Sequence, residues 1–334
     1  MGLVAIIGGG ISGCSAADRL AQAGKNVLLI EKSDVLGGNI LDYGCKADTE
    51  CVKDNLCLVQ GLFDKVSSNK LISVLYNSEV VDFSSDRRCL KVKTGKSLTQ
   101  YSGITSIILA AGMIKFSDKE TGTIQWHEDK KVIWASELEN LLYKRTANGI
   151  GLDRNLKNAV FIQCNGSRST LDKADYCSRV CCGYSYRMAR ALKYFYPDIA
   201  ITMMYMDLQE AGYIQDLTFE TLDRYGIGYM LCKPVSIRRN GDLINLEYED
   251  RAQGCMKTLD TGLVVLSEGM HPGSENGKFA ELFNLQQDDK GFLGNIEDES
   301  VCEIYLAGTI KGPRDIASSI NDALRVANLI ISSK

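Results

Sequence analysis

Four cysteines in the middle of the chain have the residue type and spacing for chemistry: Cys164, Cys177, Cys181 and Cys182, a C-x12-C-x3-C-C pattern. Four thiolates can converge on an iron–sulfur cube or on a tetrahedral zinc. Four buried thiols or a redox disulfide are the other readings. Adjacent cysteines with no CxxC pair suit a zinc knuckle poorly, and a disulfide between neighbours needs a strained loop. Arg179 and a helix N-terminus at the last two cysteines would stabilise thiolates. An apolar run, 159–163, reads as a strand before the set, and 184–195 reads as a helix after it, followed by a strand over 199–204. This is the outline of a βαβ unit with cysteines where a phosphate loop would be. Nicotinamide nucleotide binding is therefore not expected there.

The N-terminal constellation is of another kind. Gly8, Gly10 and Gly13 form GxGxxG directly after the apolar run Leu3–Ile7. A helical pattern follows over 14–23, Gly24 stops it, and a second strand over 27–30 ends at Glu31. Gly8 permits the tight turn, Gly10 lets the backbone approach a pyrophosphate, and Gly13 lets helix and strand close up. The helix start, with Ile11 and Ser12, offers free N–H groups and partial positive charge to that anion. Glu31 suits the ribose hydroxyls and disfavours a 2′-phosphate. Lys32 follows the acid, and Gly37-Gly38 with Asn39 follows soon after, as in flavoproteins where a second glycine pair gives room beside the flavin. Val80 is a further expected contact. The strand ending in Ala110-Ala111-Gly112 is where two-dinucleotide-domain flavoproteins cross back beside FAD. Near the C-terminus, strand 304–306 leads through Gly308 and Thr309 to Asp315, Ile316 and Ala317 at the start of a helix running to 331. In such flavoproteins that helix points its N-terminus at the flavin pyrimidine. They carry Asp directly after the late glycine; here Thr309 takes that place and Asp315 comes six residues later. Lys311 and Arg314 beside this loop read either as cations for reduced flavin or as solvated charges.

The stretch Phe161-Ile162-Gln163-Cys164-Asn165-Gly166-Ser167-Arg168, with Tyr176-Cys177-Ser178-Arg179-Val180-Cys181-Cys182, resembles the A-type polypeptide of heterodisulfide reductase, as do the glycine-rich start and Gly312–Ser319. The resemblance covers most of the chain. It implies an α/β, thioredoxin-reductase-like fold of two dinucleotide-binding domains, carrying one FAD and one 4Fe–4S cluster. By motif match the cluster ligands are Cys164, Cys177, Cys181 and Cys182. The methanogen form is longer, with an N-terminal cluster domain and ferredoxin modules; this sequence has no C-x2-C-x2-C-x3-C run. Its compact size is similar to the short A-type polypeptide of the heterodisulfide-reductase-like complex of sulfur oxidisers. That similarity implies electron transfer beside B-like and C-like subunits and a lipoate-binding protein, and a homodimer.

Composition narrows the alternatives. With 334 residues, two domains are expected. The 38 basic and 42 acidic side chains leave a net charge of −4, which argues against a nucleic-acid binder. No apolar run approaches the roughly 20 residues of a membrane span, and the first strand carries no signal-peptide pattern, so the expected compartment is the cytoplasm. In a reducing compartment, twelve cysteines point to metal sites, catalysis or core rather than structural disulfides. Cys45, Cys51 and Cys57 recur at intervals of six and lack a fourth ligand; packing, a redox thiol near the flavin and a metal all stay open. Cys232, Cys255 and Cys302 read as core. His127 and His271 have no partner motif, so a hydrolase has little support. The expected organisation is a discontinuous FAD domain (1–118 and 291–334), a helical connector (119–154) and a cluster-bearing second domain (155–290). The rival enzyme is a stand-alone NAD(P)H-dependent flavin disulfide reductase, which would need a second phosphate loop and a CxxC. A non-catalytic scaffold is a third class.

Overall fold

The computed structural model describes residues 2–43, 58–117, 129–143, 151–208, 219–294 and 303–333. Cys45, Cys51, Cys57, His127 and Cys302 lie outside them. In chain order the elements are β1 (Leu3–Ile7), α1 (Ile11–Gln22), β2 (Asn26–Ile30), α2 (Leu58–Ser68), β3 (Ile72–Leu75), β4 (Ser78–Ser84), β5 (Cys89–Thr94), β6 (Ser97–Ser102) and β7 (Ile104–Leu109). The short β8 (Met113–Lys115) leads to β9 (Val132–Trp134), α3 (Ala135–Tyr143), β10 (Asn158–Asn165), α4 (Cys181–Phe195), β11 (Ala200–Tyr205), α5 (Phe219–Arg224) and β12 (Ile227–Leu231). Next come β13 (Pro234–Asn240), β14 (Leu243–Asp250), β15 (Cys255–Thr261), β16 (Val264–Glu268) and β17 (Met270–Pro272). The chain closes with α6 (Asn276–Phe283), β18 (Glu303–Leu306) and α7 (Ile316–Ser332).

These elements form two compact units. The first takes the described residues up to 41, those from 58 to 114 and those from 272 onward; the second takes 42–43 and the described residues of 115–271. The stretch expected to be a helical connector supplies β9 and α3 to the second unit, and α6 belongs to the first.

In the first unit a parallel sheet runs β18-β7-β1-β2-β3. Alternation along β1 divides its side chains between two faces. Val4 and Ile6 meet Ala16, Ala17 and Leu20 of α1, Phe63 and Val66 of α2, and Val326 and Ile330 of α7. Ala5 and Ile7 meet Val80, Leu90 and Val92 of the antiparallel sheet β4-β5-β6, with Phe279 and Phe283 of α6. Burial on both faces explains why β1 is apolar throughout. Leu20 is fully buried, so truncating it to Ala would cost about 2–5 kcal/mol.

The second unit repeats the plan. Its sheet runs β12-β11-β10-β16-β9, parallel at every pairing. Ala159 and Phe161 of β10 face α3 and α4, whereas Val160 and Ile162 face the meander β13-β14-β15 through Ile237, Ile244 and Leu246. Glu139 of α3 and Arg187 of α4 join in a two-pronged ion pair at 3.0 and 2.5 Å, with the Glu139 carboxylate buried.

Candidate functional site: a dinucleotide turn and a cysteine turn

In the first unit the turn after β1 is built tightly on one side and left open on the other. A Cβ added at Gly13 would sit 1.9 Å from the Gly8 carbonyl oxygen, and one at Gly8, whose φ is +105°, would sit 2.5 Å from the Ala110 oxygen. At Gly10 a Cβ would meet nothing within 4 Å. Gly10 is also the N-cap of α1, which has neither a side-chain cap nor an acid in its first turn. The first turn's amides and positive end are therefore left for an anion. Glu31 is buried. Its Oε2 accepts the Gly9 N–H at 2.6 Å, and its Oε1 accepts the Ser33 N–H and hydroxyl at 2.8 and 2.7 Å. Further lone pairs on the carboxylate can still take a ribose hydroxyl.

Other expected contact residues gather on the same edge. Gly37 donates its N–H to Gly9, and Asn39 anchors the following 3-10 turn by donating to the Met113 carbonyl at 2.7 Å. Ala110 donates its N–H to Ile7, and Ala307 donates to Leu109, so the ends of β1, β7 and β18 are laced together. A Cβ at Gly112 would come 3.9 Å from the Thr309 hydroxyl, and one at Gly308 would strike Ser12 Oγ at 2.1 Å. The Val80 side chain is buried in the core, and Lys32 is exposed in an ion pair with Glu275 at 3.3 Å. Ile316 and Ala317 open α7, which Asp315 caps by accepting the Ser318 N–H at 2.6 Å. An open glycine, an uncapped helix start and a buried acid closing β2 together fit an adenine dinucleotide such as FAD.

The corresponding turn of the second unit is filled. A Cβ at Gly166 would lie 2.0 Å from the Phe116 ring, which stacks tilted against His271 with centroids 5.1 Å apart. His271 Nε2 is hydrogen-bonded to the Gly166 carbonyl at 2.6 Å. Where the first unit leaves room for phosphate, this one places an aromatic ring and four thiols. Cys164, next to last in β10, has φ +61°, and Arg168 and Arg179 also have left-handed backbones, with φ +55° and +67°. Non-glycine residues hold that conformation only where the surroundings impose it. The Arg179 N–H donates to Cys177 Sγ at 3.2 Å, and Cys181 and Cys182 occupy the first turn of α4.

The four thiols feel one another. Burial first, then Cys182, pushes the Cys164 thiol up to about 11, while Lys233 and Arg168 pull the other way. Burial also raises the Cys181 thiol well above the usual value, helped by Cys164, Cys182 and Cys177. Lys233 donates to the Cys164 carbonyl at 2.9 Å, and burial lowers its own affinity for the proton. Arg168 is paired with Asp207.

Even so, among the described residues no three Cys, His, Asp or Glu side chains are grouped as metal ligands. Cys181 Sγ instead donates to the Glu268 carbonyl at 3.6 Å and Cys182 Sγ to the Asp207 carbonyl at 3.9 Å. Neighbours on a helix point about 100° apart. None of the eight described cysteines is in a disulfide. Gln163 is wholly buried, and neither atom of its carboxamide has a hydrogen-bond partner among the described residues.

Sequence reasoning missed Phe116, Lys233, His271 and the buried Glu268, which accepts the Ser136 N–H at 3.0 Å. Each is remote in sequence from the cysteine motif, so no spacing signal exists for them. Cys232 is buried as expected, but Cys255 is exposed. It starts an edge strand of the meander, where an apolar-looking sequence still leaves one face to solvent.

Residues 6–52 match the sequence model of the NAD(P)-binding Rossmann-like domain. Over 236 residues the chain is 29% identical to the A-type polypeptide of the H(2):CoB-CoM heterodisulfide,ferredoxin reductase of Methanothermobacter thermautotrophicus, covering 66% of this chain and 35% of that protein. It is 22% identical to the A-type polypeptide of the ferredoxin/F(420)H(2)-dependent CoB-CoM heterodisulfide reductase of Methanosarcina acetivorans, covering 98% of this chain and 52% of the relative. The chain thus spans between about a third and a half of these relatives' length. Among solved structures, T. acidophilum thioredoxin reductase superposes with a TM-score of 0.62 at 17% identity, covering 98% of this chain and 97% of that one. The fold is mixed α/β of the two-domain, thioredoxin-reductase-like kind, and the curated homologues of the chain are the A-type polypeptides of CoB–CoM heterodisulfide reductases.

Proposed function

We propose that this chain is an electron-transfer subunit carrying FAD and a 4Fe–4S cluster, working in a heterodisulfide-reductase-like complex on sulfur or disulfide substrates. The observation that supports it most is the replacement of the second unit's phosphate turn by four thiols within electrostatic reach of one another. Bound FAD would supply two-electron chemistry, and a cluster would supply one-electron transfer.

The chain's own residues do the rest. The turn Gly8–Gly13 and the α1 start take the pyrophosphate, and Glu31 orients the ribose. Cys164, Cys177, Cys181 and Cys182 would hold the iron, which would require Cys181 and Cys182 to leave their carbonyl acceptors. Burial makes Cys164 and Cys181 poor acids on their own, so a cationic iron centre is what would favour their thiolate forms. Lys233, Arg168 and the Arg179 N–H offset the negative charge of such a centre. The Gln163 carboxamide has a partner to gain from a bound group. As the relatives' names describe one component of a larger complex, electrons pass on to other subunits, B-like and C-like in the sulfur-oxidiser arrangement, beside a lipoate-binding protein.

The test is anaerobic purification with neighbouring proteins, followed by iron, sulfide and flavin analysis. About four irons and one FAD per chain are expected, with iron lost in Cys181→Ala. An iron-free preparation keeping full redox activity, or rapid flavin bleaching by NADH, would overturn the reading in favour of the stand-alone reductase.

A further inference from the structure

Two cations stand beside the late loop of the first unit, and the structure separates them. Lys311 is committed: its ammonium donates to Asp322 at 2.8 Å, and the other Asp322 oxygen accepts the Gly308 N–H at 2.9 Å. This buried carboxylate clamps the 3-10 turn Gly308–Lys311 onto α7. Arg314 is not committed. It is partly buried, its Nε is enclosed without a hydrogen-bond partner among the described residues, and no carboxylate there lies within ion-pair distance of it, although Asp322 and Lys311 feel its charge. A guanidinium held in this way has donor capacity reserved for a ligand.

The direction of a bound dinucleotide follows from strand order. Its pyrophosphate belongs at the α1 start above β1, and its adenosine ribose toward Glu31 at the end of β2. The remaining half must run the other way, across β7 toward β18. Arg314 lies there, between β18 and α7. Helices α1 and α7 are parallel, since Ser12 bonds Ser319 near their starts and Arg19 bonds Asn328 further along. Their N-termini therefore open on the same edge. Asp315 already caps α7, so that helix end has a negative group against it and little positive charge left over.

We propose that Arg314, and not Lys311 or the α7 terminus, supplies the positive charge that stabilises the anionic N1–C2=O2 edge of reduced flavin. Lys311 is a positioning residue for the loop. The inference rests on the FAD reading above.

The test uses the full chain loaded with FAD, in wild-type, Arg314→Leu, Arg314→Lys and Lys311→Met forms. Sulfite is the probe: its lone pair bonds to flavin N5, and the displaced electron pair resides on N1–C2=O2. Arg314→Leu is expected to weaken sulfite binding about tenfold, the order of one partly screened charge contact. Binding of oxidised FAD should change less than about threefold, the scale of an exposed ion pair. A tenfold loss of preference for the reduced form corresponds to a fall of about 30 mV in the two-electron midpoint. Arg314→Lys should recover part of the effect. Lys311→Met should weaken oxidised and reduced FAD alike, with sulfite affinity unchanged. Equal loss of FAD and ADP affinity in Arg314→Leu would place the side chain on phosphate and overturn the proposal, as would unchanged sulfite affinity. A wild-type chain that takes up no FAD would instead overturn the parent reading.

Discussion

Gly10 and Gly13 sit three residues apart in one turn, yet substitution should separate folding from binding. In Gly13→Ala the new methyl would lie 1.9 Å from the Gly8 carbonyl oxygen, against a usual carbon–oxygen approach of about 3.3 Å. Helix α1 must lift off β1 by roughly 1 Å or more, and overpacking of that kind costs about 1–3 kcal/mol. For a unit of this size the thermal midpoint should fall by roughly 2–12 °C. Gly10 has open space around it and an extended backbone, φ −74° and ψ −171°, that any residue adopts. Gly10→Val should therefore lose only N-cap preference, about 0.5–1 kcal/mol, and melt within roughly 4 °C of wild type. Its isopropyl group fills the space through which a pyrophosphate reaches the α1 amides. Losing two charge-assisted N–H···O bonds at about 1.5–3 kcal/mol each amounts to about 10²–10⁴ in dissociation constant. Differential scanning fluorimetry of the apo chain and FAD titration followed by flavin fluorescence read the two effects separately. FAD binding at wild-type affinity in Gly10→Val would refute the assignment of this turn to the pyrophosphate. An unshifted midpoint in Gly13→Ala would refute the close approach of α1 to β1.

Glu139→Ala should destabilise the second unit by about 3–5 kcal/mol, because Arg187 loses its two-pronged partner; Glu139→Leu combined with Arg187→Met should recover most of it in urea unfolding. Phe116→Ala should cost about 3–5 kcal/mol and still confer no NADH binding by calorimetry, since the thiol turn stays in place. For Asp322, burial works to raise the carboxyl, but Lys311 and the Gly308 N–H outweigh it and hold it below the usual aspartate value. A depressed folded value means that the stabilisation is present above the unfolded value and lost as pH falls through the folded one. The apo midpoint should thus drop below about pH 4, and Asp322→Asn should flatten that part of the profile.

The elements around β1, α1 and β2 were legible because glycine spacing, apolar runs and a closing acid are all local signals. The start of α4 was less so: Tyr184 marks where helical periodicity becomes visible, whereas the helix begins at Cys181, whose neighbours carry no cap motif. β9 is only three residues long and joins its sheet by pairing with β16, more than a hundred residues onward. Nothing local in Val132–Trp134 specifies that partner. Cys255 illustrates the converse limit, as alternation gives a strand but not which face is covered. The supports of the cysteine turn were invisible for the same reason, since Lys233 reaches Cys164 from 69 residues away.

The two units start from the same strand–turn–helix plan and diverge at the turn. Gly10 has empty space in front of it; Gly166 has an aromatic ring. Gly166 holds φ +66°, so glycine is needed there for backbone shape as well as for the ring. A return to phosphate binding would require removing Phe116, releasing His271 from the Gly166 carbonyl and replacing two thiols in the first turn of α4. No single substitution does this. The thiol turn is thus packed where the first unit's turn is open. Under the proposed function, electrons must reach or leave this unit through its sulfur ligands, and a nicotinamide bound at Gly166 is not a route open to it.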